Sequence, residues 1–165
     1  MSKTVDNLKG AYAGESQANR KYLAYSKKAD EDGYPKVAKL FRAIAEAETI
    51  HAHNHFKALG EVKSTAENLQ TAIGGENYEV NSMYPPMLAE AETEGNKQAA
   101  RSFRWALEVE KVHEILYRQA LEKLGKDTTT ADYYICPVCG FTHEGPMTEN
   151  CPVCGTLAQR FIQVK

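Results

Sequence analysis

An eleven-residue pattern occurs twice in this chain of 165 residues. Residues 41–51 read FRAIAEAETIH and residues 103–113 read FRWALEVEKVH, sixty-two positions apart, with Phe, Arg, Glu, Glu and His in matching places. Each residue of an α-helix turns by about 100°. That puts Glu48 and His51 on the side of Val37, Leu40, Phe41 and Ile44, and Glu110 and His113 on the side of Phe103, Ala106, Tyr117 and Leu124. Both copies set a Glu-x-x-His pair on a face predicted to be core. Burying an unpaired carboxylate costs on the order of several kcal/mol, and no Lys or Arg on these faces offers a partner. A divalent metal ion would.

The duplication reaches further back. Residues 7–15 read NLKGAYAGE and residues 68–76 read NLQTAIGGE. Glu15 shares the stripe of Leu8, Ala11, Tyr12 and Tyr22, and Glu76 that of Leu69, Ile73, Met83 and Met87. Each half therefore supplies one Glu from its first helix and a Glu-x-x-His pair from its second. Four inward carboxylates and two inward imidazoles suit two oxygen-preferring transition metals, above all iron or manganese.

Periodicity and breaker residues predict four helices, at about residues 4–30, 36–59, from the Ser64-x-x-Glu67 capping box onward, and 97–124. Pro85 and Pro86 are expected to kink the third or end its regular hydrogen bonding. Residues 1–125 thus read as an all-α four-helix domain, 126–132 as a polar linker, and 133–165 as a small appended domain. A net charge of −2 without a basic stripe argues against nucleic acid as a partner. No apolar run approaches membrane-spanning length, and MSKTVDNLKG has no signal-peptide core, so a cytoplasmic location is expected.

All four cysteines fall in two CPVCG knuckles, Cys136 with Cys139 and Cys151 with Cys154. Four thiolates at this spacing close a tetrahedral site for zinc or a single iron. The glycines permit tight turns whose N–H groups point at sulfur. Tyr133, Tyr134, Phe141 and Phe161 are predicted to form the apolar core of this domain, which is too short to fold on burial alone.

Some positions stay open on spacing alone. Glu79, one turn beyond Glu76, has no counterpart in the duplication and reads either as a seventh ligand or as a helix-surface acid. Tyr22 either hydrogen-bonds a ligating carboxylate or packs in the core. His55 reads as a core histidine, and Glu114, without a matching acid in the second helix, is left out of the ligand set.

With both features on one chain, the sequence resembles the rubrerythrins, in which a ferritin-like diiron four-helix domain precedes a rubredoxin-like β domain. The matching residues are Glu15 in GESQANRKYL, Glu48 and His51 in AEAETIH, Glu76 and Glu79 in GENYEVNSMYP, Glu110 and His113 in VEKVH, and the four cysteines. The resemblance implies two non-haem irons, bridged by Glu48 and Glu110, with Glu15 and Glu76 terminal and His113 on the second iron. It implies that the first iron exchanges His51 for Glu79 on oxidation, and that the four-cysteine site carries iron. The implied activity is reduction of hydrogen peroxide to water, with electrons from an external donor protein or reductase. Iron oxidation and storage is an alternative, and so is a non-catalytic protein with a structural zinc ribbon. The second helix would be roughly 36 Å long, yet the five residues from Gly60 to Ser64 reach at most roughly 18 Å. Either the bundle runs up-down-up-down or the helix pairs exchange between two chains. The resemblance favours exchange, and with it a domain-swapped homodimer.

Overall fold

The computed structural model describes residues 2–126 and 130–165, so part of the expected linker, residues 127–129, lies outside the described residues. The chain divides into two compact units, Met1–Lys63 and Ser64–Lys165. In the first, α1 (Lys3–Glu31) and α2 (Pro35–Ala58) form a hairpin. Ser2 caps α1 by accepting the Val5 N–H. Gly33, at φ 80°, turns the chain, and Pro35 opens α2 with the φ that a first helical turn needs. Contacts step along the pair in antiparallel order, from Asp30 with Arg42, through Asn19 with Ala45, to Tyr12 with Phe56.

Small residues make the hairpin contact. Ala38, Ala45 and Ala52 form one line down α2 and are buried with Ala29, Asn19 and Ser26. The backbones come close enough for Asn19 Nδ2 to donate to the Ala45 carbonyl at 2.8 Å and to Thr49 Oγ1 at 2.7 Å. This departs from the sequence-based expectation that Val37, Leu40 and Ile44 are core. They remain 44, 60 and 41 % exposed. The alanine line takes the close approach, and the bulky stripe that carries Glu48 and His51 is left beside it.

In the second unit, α3 (Thr65–Tyr78) opens on the expected capping box. Ser64 accepts the Glu67 N–H, and the Glu67 carboxylate accepts the Ser64 N–H at 3.2 Å. A π-helical turn, Glu79–Met83, then separates α3 from α4 (Tyr84–Thr93). Pro85 and Pro86 cannot donate to the carbonyls of Asn81 and Ser82, and their rings crowd them. The helix widens one turn earlier, and the Tyr84 N–H reaches back to the Glu79 carbonyl. Asn96 caps α5 (Lys97–Lys123), on which both α3 and α4 pack.

The small domain is a three-stranded antiparallel sheet of β1 (Tyr133–Ile135), β2 (Thr142–Glu144) and β3 (Ile162–Gln163), in the order β2-β1-β3. Its core of Cys136, Phe141 and Cys151 is continuous with Val109 of α5, with Val112, Val153 and Phe161 packed around it. Tyr133, expected in that core, lies at its exposed edge. Among the described residues no helix is long and apolar enough to cross a membrane.

Candidate metal centres

Glu15 of α1 and Glu48 and His51 of α2 each bring a ligand atom within 4.8 Å of the others. In the second unit Glu76 of α3 and Glu110 and His113 of α5 do the same. The three-residue spacing stacks carboxylate on imidazole. Glu48 Oε2 lies 2.9 Å from Nδ1 of His51, and Glu110 Oε2 lies 2.7 Å from Nδ1 of His113. Among the described residues none of Glu15, Glu48, Glu76, Glu79 and Glu110 forms an ion pair with Lys or Arg. Glu114 shows the contrast. Its carboxylate is held by Arg118 at 2.6 Å and by Asn77 at 3.3 Å, and these contacts, Arg118 first, keep it below the usual carboxylate range. An acid with its own cation needs no metal.

The second cluster carries the electrostatic signature of a missing positive charge. Burial, then the hydrogen bond and charge of Glu110, then the charges of Glu79 and Glu114, push the Glu76 carboxyl up to about 7. Burial and the Glu110 charge also raise Glu79, against a smaller opposing effect of His113. Burial, followed by Glu79, Glu110 and Glu76, raises the Tyr84 phenol. Like-charged carboxylates in a half-buried site hold a proton unless a cation replaces it, and the oxygen-rich, single-imidazole donor set fits a transition metal of the iron or manganese type.

Glu79 begins the π turn and lies outside both three-residue groups, although it acts electrostatically on Tyr84 and feels Glu110 and His113. Tyr22 packs its ring against Phe41 at 6.1 Å and Tyr25 at 6.3 Å, and its hydroxyl makes no hydrogen bond among the described residues. The two histidines differ. His51 Nε2 has no partner among the described residues, whereas His113 Nε2 lies 3.0 Å from Thr142 Oγ1 of the small domain. Sequence reasoning missed Thr142, because no spacing rule reports which strand residue a distant helix meets.

The cysteines are free thiols whose four sulfurs lie within 4.8 Å of one another. Cys136 Sγ is 3.5 Å from Cys154 Sγ, and Cys139 Sγ is 3.5 Å from Cys151 Sγ. The knuckles repeat one backbone pattern. Gly140 and Gly155, at φ 86° and 75°, donate to the carbonyls of Cys136 and Cys151 at 3.0 and 2.9 Å. A side chain at either glycine would strain that left-handed turn. Burial raises the Cys136 thiol, but the N–H groups of Cys139 and Val138, with Thr156 and Cys154, outweigh it and bring the group down to about 6. Burial dominates at Cys139 and Cys151 and holds both up. Four convergent sulfurs with N–H donors make a closed tetrahedral site.

The rubrerythrin family model matches residues 6–121, and the model of the rubrerythrin, rubredoxin-like domain matches residues 134–162. Rubrerythrin-2 of Clostridium acetobutylicum is 41 % identical over 96 % of this chain and 95 % of its own length. Nigerythrin of Nitratidesulfovibrio vulgaris is 36 % identical over 93 % of this chain and 83 % of its own. The solved structure titled as the fully reduced state of nigerythrin (all ferrous) superposes with a TM-score of 0.60 at 34 % identity, covering 99 % of this chain and 88 % of that one. The fold is accordingly ferritin-like with a rubredoxin-like β domain, and the two kinds of site are of diiron and four-cysteine type.

The raised Glu76 carboxyl makes a signed prediction for metal-free protein. Between its ordinary 4.5 and about 7 the folded chain holds a proton that the unfolded chain releases. The stability this group contributes is therefore full below 4.5 and is lost as the pH rises to about 7. Metal needs the carboxylate, so affinity for ferrous ion rises across the same window. Thermal unfolding of the metal-free parent and of Glu76→Gln at about pH 5 and about pH 7.5 checks this. The parent's midpoint is expected to fall relative to the variant, and two proteins that track each other would contradict it.

Proposed function

The chain belongs to the rubrerythrin family, and on that premise we propose that it is a peroxidase, reducing hydrogen peroxide to two waters with two electrons and two protons. A pair of ferrous ions held by the carboxylate–histidine ligands would supply both electrons. The residues divide the work as the family likeness implies. Glu48 and Glu110 would serve both metals, Glu15 and Glu76 one each, and His113 the second. His51 and Glu79 would alternate on the first, a role supported by the exposed, singly tethered imidazole of His51 and the half-buried acid at the head of the π turn.

One observation carries this reading. The four-thiolate domain packs through Val109 and Val112 onto the helix that presents Glu110 and His113. An iron–tetrathiolate centre so placed can return electrons singly from an external donor protein or reductase. Iron oxidation and storage would use the same carboxylates but would leave a dedicated electron input without a purpose. A cytoplasmic location is part of the proposal, because a reducing compartment preserves four free ligand thiols.

We further propose that each diiron centre is completed between two copies of the chain in a domain-swapped homodimer. Two features support this. Helix α2 has 24 residues, roughly 36 Å, whereas the six residues from Leu59 to Ser64 span roughly 20 Å at most, which leaves an up-down-up-down bundle or exchange, and the family likeness favours exchange. Val37, Leu40 and Ile44, with Tyr22 and Phe41, line an open apolar groove beside Glu48 and His51, a surface of the kind that marks an interface.

Two experiments test these readings. Reduced protein mixed anaerobically with hydrogen peroxide is expected to oxidise faster than with dioxygen. With zinc in place of iron at the cysteines, that single turnover should persist while steady turnover with an external donor stops. Undiminished steady turnover of the zinc form would remove the relay, and faster oxidation by dioxygen would favour iron oxidation. For the dimer, Glu15→Ala and Glu110→Ala are each expected to be inactive. In a swapped heterodimer one site carries both lesions and the other none, so refolding the two together should restore up to one intact site per heterodimer. Mixing that restores nothing would refute the exchange.

A further inference from the structure

We infer that Thr142 of the small domain is the positioning residue for His113, and that through it the metal-closed cysteine knuckles prepare the neighbouring carboxylate–histidine cluster. Thr142 Oγ1 lies 3.0 Å from His113 Nε2 and 3.1 Å from the Gly140 carbonyl oxygen. A threonine hydroxyl has one hydrogen, and a carbonyl can only accept. The hydrogen therefore goes to Gly140, and Nε2 must donate to Thr142. That leaves Nδ1, 2.7 Å from Glu110 Oε2, as the nitrogen that meets the cluster. A metal ion bound by Nδ1 and Glu110 takes the place of any proton between them, while Nε2–H keeps its bond to Thr142. A hydrogen bond at the far nitrogen of a ligating imidazole fixes its ring and raises its basicity.

The hydroxyl is itself held by the knuckle. Thr142 opens β2 opposite Ile135 and follows Gly140 by two residues. Gly140 donates to the Cys136 carbonyl at 3.0 Å, and a Cβ there would lie 3.9 Å from Val109 Cγ1. Metal binding closes a four-cysteine domain of this size, and closing it places Thr142. His51 has no equivalent. Its side chain is 56 % exposed against 26 % for His113. The sequence repeat makes the two histidines equivalent, and the small domain distinguishes them. This inference rests on the proposed function only in taking iron as the metal of the cluster.

The test uses full-length protein with one zinc at the cysteines and the carboxylate cluster empty, kept anaerobic. Nitrogen-15 NMR reads the protection of the His113 Nε2–H from exchange with water, and titration with ferrous ion reads affinity. The parent and Thr142→Ser are expected to show a protected Nε2–H and equal affinity. Thr142→Val is expected to lose that protection and to bind ferrous ion about tenfold more weakly. Thr142, His113 and Tyr117 line a cavity of about 460 Å³, so water can reach Nε2 in the variant and no polar group is stranded. If Thr142→Val fails to keep its zinc, Thr142→Ala removes the same hydroxyl and is read in the same way. Unchanged Nε2–H protection and affinity in the hydroxyl-free variant would overturn the inference, as would a Thr142→Ser protein that loses as much. Neither readout involves peroxide, so failure of the peroxidase reading and failure of this one are separately visible.

Discussion

Carboxylates that face one another without a protein cation between them set the terms for the rest of this chain. Each helix pair presents two such acids and one imidazole within 4.8 Å. Arg42, Arg104 and Arg118 are spent elsewhere, on Asp30, Glu92 and Glu114. Bound metal would supply the positive charge these clusters lack, and in the second cluster the raised Glu76 carboxyl is that deficit expressed as a retained proton. Stability and metal affinity are therefore linked through one set of groups.

Helix α5 serves two neighbours at once. Val109 and Val112 enter the core of the cysteine domain, while Glu110 and His113, each one position on and about 100° around, enter the ligand cluster. A helix with this alternation packs against the cysteine domain with one set of residues and supplies metal ligands with the next. Thr142 completes the join from the other side. The first hairpin has no such appendage, and its bulky apolar stripe stays open beside Glu48 and His51.

Much of this was legible in the sequence. The duplicated Glu-x-x-His pairs stack by helical period, the preceding Glu of each half meets them from the packed partner helix, and the capping box at Ser64 and Glu67 forms as read. The twin CPVCG knuckles specify a four-sulfur site through spacing and glycine conformation. Other features depend on tertiary choices that periodicity does not encode. Ala38, Ala45 and Ala52 won the contact with α1 because close backbone approach favours small residues, which displaced Val37, Leu40 and Ile44 from the expected core. Pro85 and Pro86 announced a disruption but not its form, a π turn beginning at Glu79. Thr142 carried no signal, since its importance lies in a contact across twenty-nine positions.

We propose that the two carboxylate–histidine groups, one from each helix pair, are brought together between two chains as a single dinuclear centre. Mössbauer spectroscopy of iron-loaded, oxidised protein tests it most directly, because magnetic coupling requires the two ions to share bridging ligands. The expected spectrum contains a spin-coupled ferric pair with a diamagnetic ground state, together with one separate high-spin ferric tetrathiolate site per chain. Two uncoupled, magnetically independent ferric ions at the carboxylate–histidine groups would contradict it.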